Sequence, residues 1–316
     1  MLGKGSSDAA ARARRFQRRN RVGVAAALAL HLFALLIVPL ALLPLSRWWG
    51  LALLPVALLS NPLWSLTHEA IHGQLASSRR GNEIAGRILG VLHGASFGAV
   101  RVGHLLHHRY SRTVRERTEV YDPRRTRRGR AAAGYYFGLL GGTYLLEVLG
   151  TLLSLMPRAA LVRLERRLDR EDSVAGLVVR ALCRPAALAA LRVDATLILV
   201  LGAASLALYG ACAWMPLAAY ALRALLVSFA DNSYHYDTPL DRPAAARNLR
   251  APRWLELALL NFTLHGVHHA HPTLPWYELR RRFDAERRGY DGGWFAALGA
   301  QLRGPIPVTA FREERA

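Results

Sequence analysis

Of the twelve histidines in this 316-residue chain, ten lie just outside apolar runs, and eight of those fall into three clusters. His68 and His72 are four apart, so on a helix they share a face one turn apart. His104, His107 and His108 have the spacing H-x-x-H-H, and His265, His268 and His269 repeat it, which again groups the imidazoles on one side of a helix. Imidazole ligates zinc, copper, iron or nickel, and eight imidazoles exceed the shell of one ion, so two metals are the economical reading. His68-Glu69-Ala70-Ile71-His72 is also a literal H-E-x-x-H, in which two histidines bind zinc and the glutamate serves as general base of a protease. A zinc protease needs one further ligand and has no use for two H-x-x-H-H triplets. Helix-capping or interfacial histidines would account for any single cluster, not for three together.

The elements that must position these residues are apolar and long. Residues 22–46 carry no charge, and a hydrocarbon core of roughly 30 Å needs about 20 such residues in a helix. Further apolar stretches lie at 49–66, 133–156 and 195–230, the last broken near Pro216. Between them are basic segments, with nine Arg in 109–130 and eight in 157–193, contributing to a formal charge of +20. Arginines scattered through loops without interleaved stacking aromatics do not make a nucleic-acid surface, and no nucleic-acid partner is expected. Cys183 and Cys212 are too few for a disulfide framework or a thiolate metal site. Lys4, Arg12 and their neighbours before the first run anchor its N-terminus in the cytoplasm by the positive-inside tendency; the run is too long for a cleaved signal. Gly86, Gly90, Gly94 and Gly98 place a bare stripe on a helix over 84–100, a packing device. His31 and His93, inside apolar runs, are expected as hydrogen-bonded helix contacts, His271 as an interfacial residue, and Arg223 as snorkelling or lying where a helix leaves the bilayer.

HEAIH at 68–72, HLLHH at 104–108 and HGVHH at 265–269, the last followed by Pro272 and Pro275-Trp276, resemble the three histidine boxes of the integral-membrane fatty acid desaturases. The likeness runs from the first span to about Leu279, and the 31 residues between His72 and His104 favour this branch over the related hydroxylases. It implies an all-α integral-membrane protein of about four transmembrane helices under a cytoplasmic helical cap, with two non-haem irons and O2 as co-substrate. It also implies a ninth ligand between the second and third boxes, for which His235 is the match. The Asn232-Ser233-Tyr234-His235 setting is one residue shorter than the usual N-x-x-x-H, with Asp231 at the usual distance. Asn232 is carried over only as a candidate for a water-mediated contact. Glu69 is expected behind the ligands, accepting from an imidazole N–H rather than acting as a base.

The chain then divides into a basic cytoplasmic tail (1–21), a membrane domain (22–279) and a cytoplasmic C-terminal tail (280–316). Removing hydrogen from an unactivated methylene is beyond acid and base groups, so a redox cofactor must do it while the protein positions a lipid acyl chain. No flavin, dinucleotide or haem-binding pattern is present, so electrons must come from a separate acidic carrier of ferredoxin or cytochrome type with its reductase. Hydroxylation and carotenoid ketolation use the same boxes and stand as alternatives. The boxes must face one side, so the chain crosses the bilayer an even number of times between His108 and His235. This makes 133–156 interfacial or re-entrant and 195–230 a hairpin, in a bacterial inner membrane with the active site on the cytoplasmic face.

Overall fold

A long charge-free run has to satisfy its own peptide groups in lipid, and a helix does so within one segment. The computed structural model describes residues 3–242 and 244–313, so both extreme ends of the expected tails, and the side chains of Lys4 and Arg12, lie outside the described residues. Helix α1 (Gly3–Leu32) continues into a π-helical stretch, Phe33–Leu42, that accommodates Pro39, whose ring nitrogen cannot donate in a regular α-helical turn. The chain turns at Ser46–Trp48 and returns through α2 (Leu54–Leu58) and α3 (Ser60–Ile71). Among the described residues, four segments are long and apolar enough to cross a membrane: Ala13–Leu42, Arg47–Ile71, Arg128–Leu153 and Pro185–Cys212.

The glycine-rich stretch is two helices instead of the single expected one. Helix α4 (Arg79–His93) ends at Gly94, whose φ of 93° is the left-handed conformation a glycine adopts freely, and α5 (Phe97–Tyr110) leaves at 97° to it. Gly86 and Gly90 face back onto the bend, where an added Cβ would lie 2.5 Å from the Phe97 ring and 2.8 Å from the Ala95 carbonyl oxygen. The stripe therefore folds a helix pair onto itself.

Helices α6 (Arg128–Phe137) and α7 (Thr143–Leu153) are joined through a kink at Leu140 and Gly141, the latter at φ 127°. After α8 (Arg158–Leu168) and α9 (Ala175–Leu182), α10 (Pro185–Tyr209) and α11 (Trp214–Asp231) form the expected hairpin around Gly210. Its tip packs Tyr209 and Met215 with Val38 and Leu53, at the end remote from the histidines. The hydrogen bonds of 128–153 go elsewhere. Tyr135 donates to the Gln301 carbonyl at 2.9 Å, the Tyr144 amide to Ser228 Oγ at 3.0 Å, and Thr151 Oγ1 accepts from the Ser96 amide at 2.8 Å. Of these partners, Ser228 lies on α11 near its histidine end and Ser96 in the α4–α5 bend, and Arg128–Leu153, expected as interfacial or re-entrant, is by length and composition able to cross a membrane.

Arg223 does not snorkel. It sits inside α11 at 1 % exposure and donates to the carbonyls of Leu92 (2.7 Å) and His93 (3.3 Å), to His31 Nε2 (2.8 Å) and to Ser60 Oγ (3.2 Å). The carbonyl end of α4, the negative pole of its helix dipole, is buried at this depth and takes the cation. His31 is thus the hydrogen-bonded contact expected, whereas the ring nitrogens of His93 make no hydrogen bond among the described residues, its Nε2 lying 3.4 Å from Glu147 Oε2.

The C-terminal region past 280 is no loose tail. Helices α12 (Arg253–Ala258), α13 (His265–Ala270), α14 (Trp276–Ala285) and α15 (Trp294–Ala300) cover the histidine end. Trp294 and Ala297 join Tyr234 and Phe262 in one buried cluster, and Ile306–Pro307 pairs in parallel with Val120–Tyr121. At the other terminus Phe16 stacks on Tyr277 at 4.4 Å, so the expected N-terminal tail is part of the same body.

Candidate metal centre

The three boxes and His235 arrive from four directions. His68 ends α3 and His72 follows as its cap; α5 brings His104, His107 and His108; His235 follows a short 3-10 turn, Asn232–Tyr234, at the end of α11; α13 brings His265, His268 and His269. They form two groups, His68, His72, His104, His108 and His268 in one, and His107, His235, His265 and His269 in the other, with the ligand atoms of each within 4.8 Å of one another. These are the nine expected histidines. In both triplets the i and i+4 residues go to one group and the i+3 residue crosses to the other. Consecutive residues, His107–His108 and His268–His269, therefore lock the two groups side by side.

In the first group, Nε2 atoms lie 3.0 Å apart for His68–His268, 3.1 Å for His72–His104, 3.0 Å for His104–His108 and 2.9 Å for His108–His268. The second closes a ring, at 3.1 Å for His107–His235, His235–His265 and His265–His269 and 3.3 Å for His107–His269. A metal about 2.1 Å from each nitrogen would set right-angle neighbours about 3.0 Å apart and tetrahedral ones about 3.4 Å apart. The spacing fits right-angle coordination better, and five and four donors leave a six-coordinate ion short of a full shell in both groups. Each close pair can share at most one proton, and the ring nitrogens that converge in each group make the donor set of a bound cation. Burial, reinforced by the neighbouring imidazoles, holds His235, His265 and His268 well below the ordinary 6.5, which keeps them neutral as metal ligation requires.

Outside this centre other residues aim the rings. Glu116 Oε1 is 2.6 Å from His107 Nδ1, and the Ala245 carbonyl is 3.3 Å from His235 Nδ1. Asn82 pins the turn after His72, accepting from the Leu75 amide at 3.0 Å and donating to the Ala70 carbonyl at 2.7 Å. Asn248 Oδ1 accepts from the Val267 amide at 3.0 Å, and a Cβ on Gly266 would stand 2.6 Å from the Ala246 carbonyl oxygen, so α13 lies flush on this loop. None of these was read from the sequence. Glu116 had a signal, the first acid inside an arginine-rich run, eight residues after His108.

Glu69 does not take the expected place. Its Oε2 accepts from the Trp276 amide at 3.2 Å, tying the first box to the segment after the third, and it belongs to neither histidine group. Physically, it follows His68 on α3 and so points about 100° away around the helix from the ligand face. The same direction removes it from the general-base position of an H-E-x-x-H protease. Asn232 and Asp231 also lie outside both groups, and Asn232 Nδ2 is buried without a hydrogen-bond partner. His271 meets Glu286 at 2.7 Å and is no ligand.

Searches among curated proteins and among solved structures returned no match. A family model described as fatty acid desaturase matches residues 46–296, a stretch that begins before the first box and ends beyond the third. With that match over most of its length, the chain belongs to the fatty acid desaturase family.

Proposed function

We propose that this protein is an O2-dependent membrane desaturase that places a double bond in a lipid acyl chain, with two non-haem irons held by the nine histidines. The observation that carries this reading is the pair of fused, all-imidazole groups beside an apolar recess. When bound, two reduced irons supply the redox chemistry with O2 that breaks unactivated C–H bonds, which acid and base groups lack.

The chain's own residues do the rest. Trp64, Leu259, Phe262 and Tyr234 line a recess of about 10 Å³ below the centre, with the Phe262 ring 4.8 Å from the His68 ring. So small a space holds no more than about one water-sized group, so the aromatic walls exclude bulk water and must part to admit a chain. The backbone of α3 and α13 fixes the ligands, and Glu116 holds the proton of His107 Nδ1 away from the metal side. Reducing equivalents come from a separate acidic carrier with its reductase. The arginine-rich segments share the histidine end, and the positive-inside tendency supports assigning that end to the cytoplasmic face of a bacterial inner membrane.

The test is purified protein analysed for metal and for product with a reconstituted carrier. Close to two irons per chain and a new double bond in the acyl chain support the reading. An alcohol or a ring ketone as sole product would move it to the hydroxylase or ketolase alternative. One zinc with peptide cleavage would overturn it.

A further inference from the structure

A basin of about 700 Å³ opens beside the metal centre, and its floor is the carboxylate bonded to a ligand. Arg115, Arg117, Arg125, Arg130 and Arg170 line it together with Glu116. Glu116 Oε1 lies 2.6 Å from His107 Nδ1, and their side chains are 24 % and 22 % exposed. Two hydrogen-bonded side chains therefore lead from solvent to the four-histidine group. The acids Asp122 and Asp172 on the rim are engaged by Arg125 and Arg170, at 3.9 Å for Arg125–Asp122 and 3.0 Å for Arg170–Asp172. Arg117 and Arg130 have no side-chain partner among the described residues. The basin thus keeps uncompensated positive charge at the point where the ligand shell comes within one residue of its surface.

We infer that this basin is the docking site of the acidic electron carrier and that Glu116–His107 is the point of electron entry. The inference rests on the proposed desaturase reaction. That reaction balances as –CH2–CH2– plus O2, two electrons and two protons giving –CH=CH– and two waters. Each carrier molecule is oxidised by one electron, so two must dock and leave per turnover. An arginine basin suits such traffic, because charge complementarity raises the encounter rate while a hydrated rim lets the partner go. Anionic lipid headgroups would also meet arginines, but a headgroup surface needs no contact with a metal ligand.

The probe is an acidic [2Fe–2S] ferredoxin, titrated onto the metal-loaded full chain in nanodiscs of neutral lipid. Arg117→Glu with Arg130→Glu is expected to weaken its Kd by about tenfold or more and to remove most of its salt dependence. Arg117→Lys with Arg130→Lys is expected to restore binding, which a folding defect would not permit. Product from a single turnover driven by dithionite, which needs no dock, is expected to be equal in all three proteins. An unchanged Kd in the charge-reversed protein, or ferredoxin binding that anionic lipid in the nanodisc abolishes outright, would overturn the dock. No product from wild type with dithionite would instead overturn the reaction on which the dock depends.

Discussion

Two of the polar clusters buried among the described residues solve the cost of burial in opposite ways. Around Arg223 donors meet acceptors: the guanidinium goes to three carbonyls, a hydroxyl and a ring nitrogen, and Asp194 receives Arg87 at 2.5 Å and Ser96 Oγ at 2.8 Å. The guanidinium's own donors are matched, and what they do is hold the end of α4 against α1, α3 and α11. The nine-histidine centre turns ring nitrogen toward ring nitrogen; burial holds His235, His265 and His268 below the ordinary imidazole range, whereas His107, despite its burial, is held above it by Glu116. The centre is finished only by cations. A buried polar cluster whose bonds balance is architecture; one whose lone pairs converge is a site.

The largest effects should follow from breaking the unbalanced cluster. Replacing His107 or His268 by Ala is expected to bring product below detection and to lose bound metal, with the helical far-UV signal in detergent unchanged. Full activity in either variant would count against the centre. Glu116→Gln is the next step down. His107 keeps its position but loses a charged partner, and the change is expected to weaken one of the two ions by about 10–100-fold in chelator competition, leaving the other unaffected. Equal weakening of both would mean that Glu116 acts on the whole centre.

The same contrast explains what the sequence made legible. Histidine spacing is a rule of helix geometry and no other residue substitutes for imidazole here, so eight ligands could be read directly, while His235 came from the family likeness alone. The hairpin of α10 and α11 followed from parity, since both sides of it carry ligands of one centre. Balanced clusters leave no such trace. Arg223 bonds mainly to main-chain carbonyls, which every residue has, so nothing in the sequence marked its partners. Glycines four apart fit a close-packed straight helix and a sharply bent pair equally well, and only the left-handed φ of Gly94 decides between them. Trp294 and Ala297 were hidden because a seven-residue helix is too short to span and yet long enough to bury one face.

Breaking the balanced cluster should cost stability and spare the metal. Arg223→Leu removes the donor from the Leu92 carbonyl, while the His93 carbonyl keeps the Tyr144 hydroxyl, and an unsatisfied buried carbonyl costs about 1–3 kcal/mol. A lower melting temperature in detergent is expected, with metal per folded chain unchanged. Metal loss at full thermal stability would show that the two clusters are coupled, and the division between architecture and site would fail.

The smallest effect belongs to the residue that looks most catalytic in the sequence. Glu69 lies between two ligands, yet its carboxylate accepts from the Trp276 amide and so joins α3 to the start of α14. A glutamine in its place keeps an oxygen acceptor of the same reach. Glu69→Gln is therefore expected to change turnover by no more than about twofold and to leave metal content intact, as for a hydrogen bond whose geometry survives. Glu69→Ala removes the acceptor and strands the buried Trp276 amide, so it should lower the melting temperature while the folded fraction still binds metal. A general base, or an acceptor orienting a ligand ring, would respond in the reverse order. Glutamine would then abolish turnover or shift metal affinity while stability held, and that result would move Glu69 from the balanced, structural part of the molecule into the site.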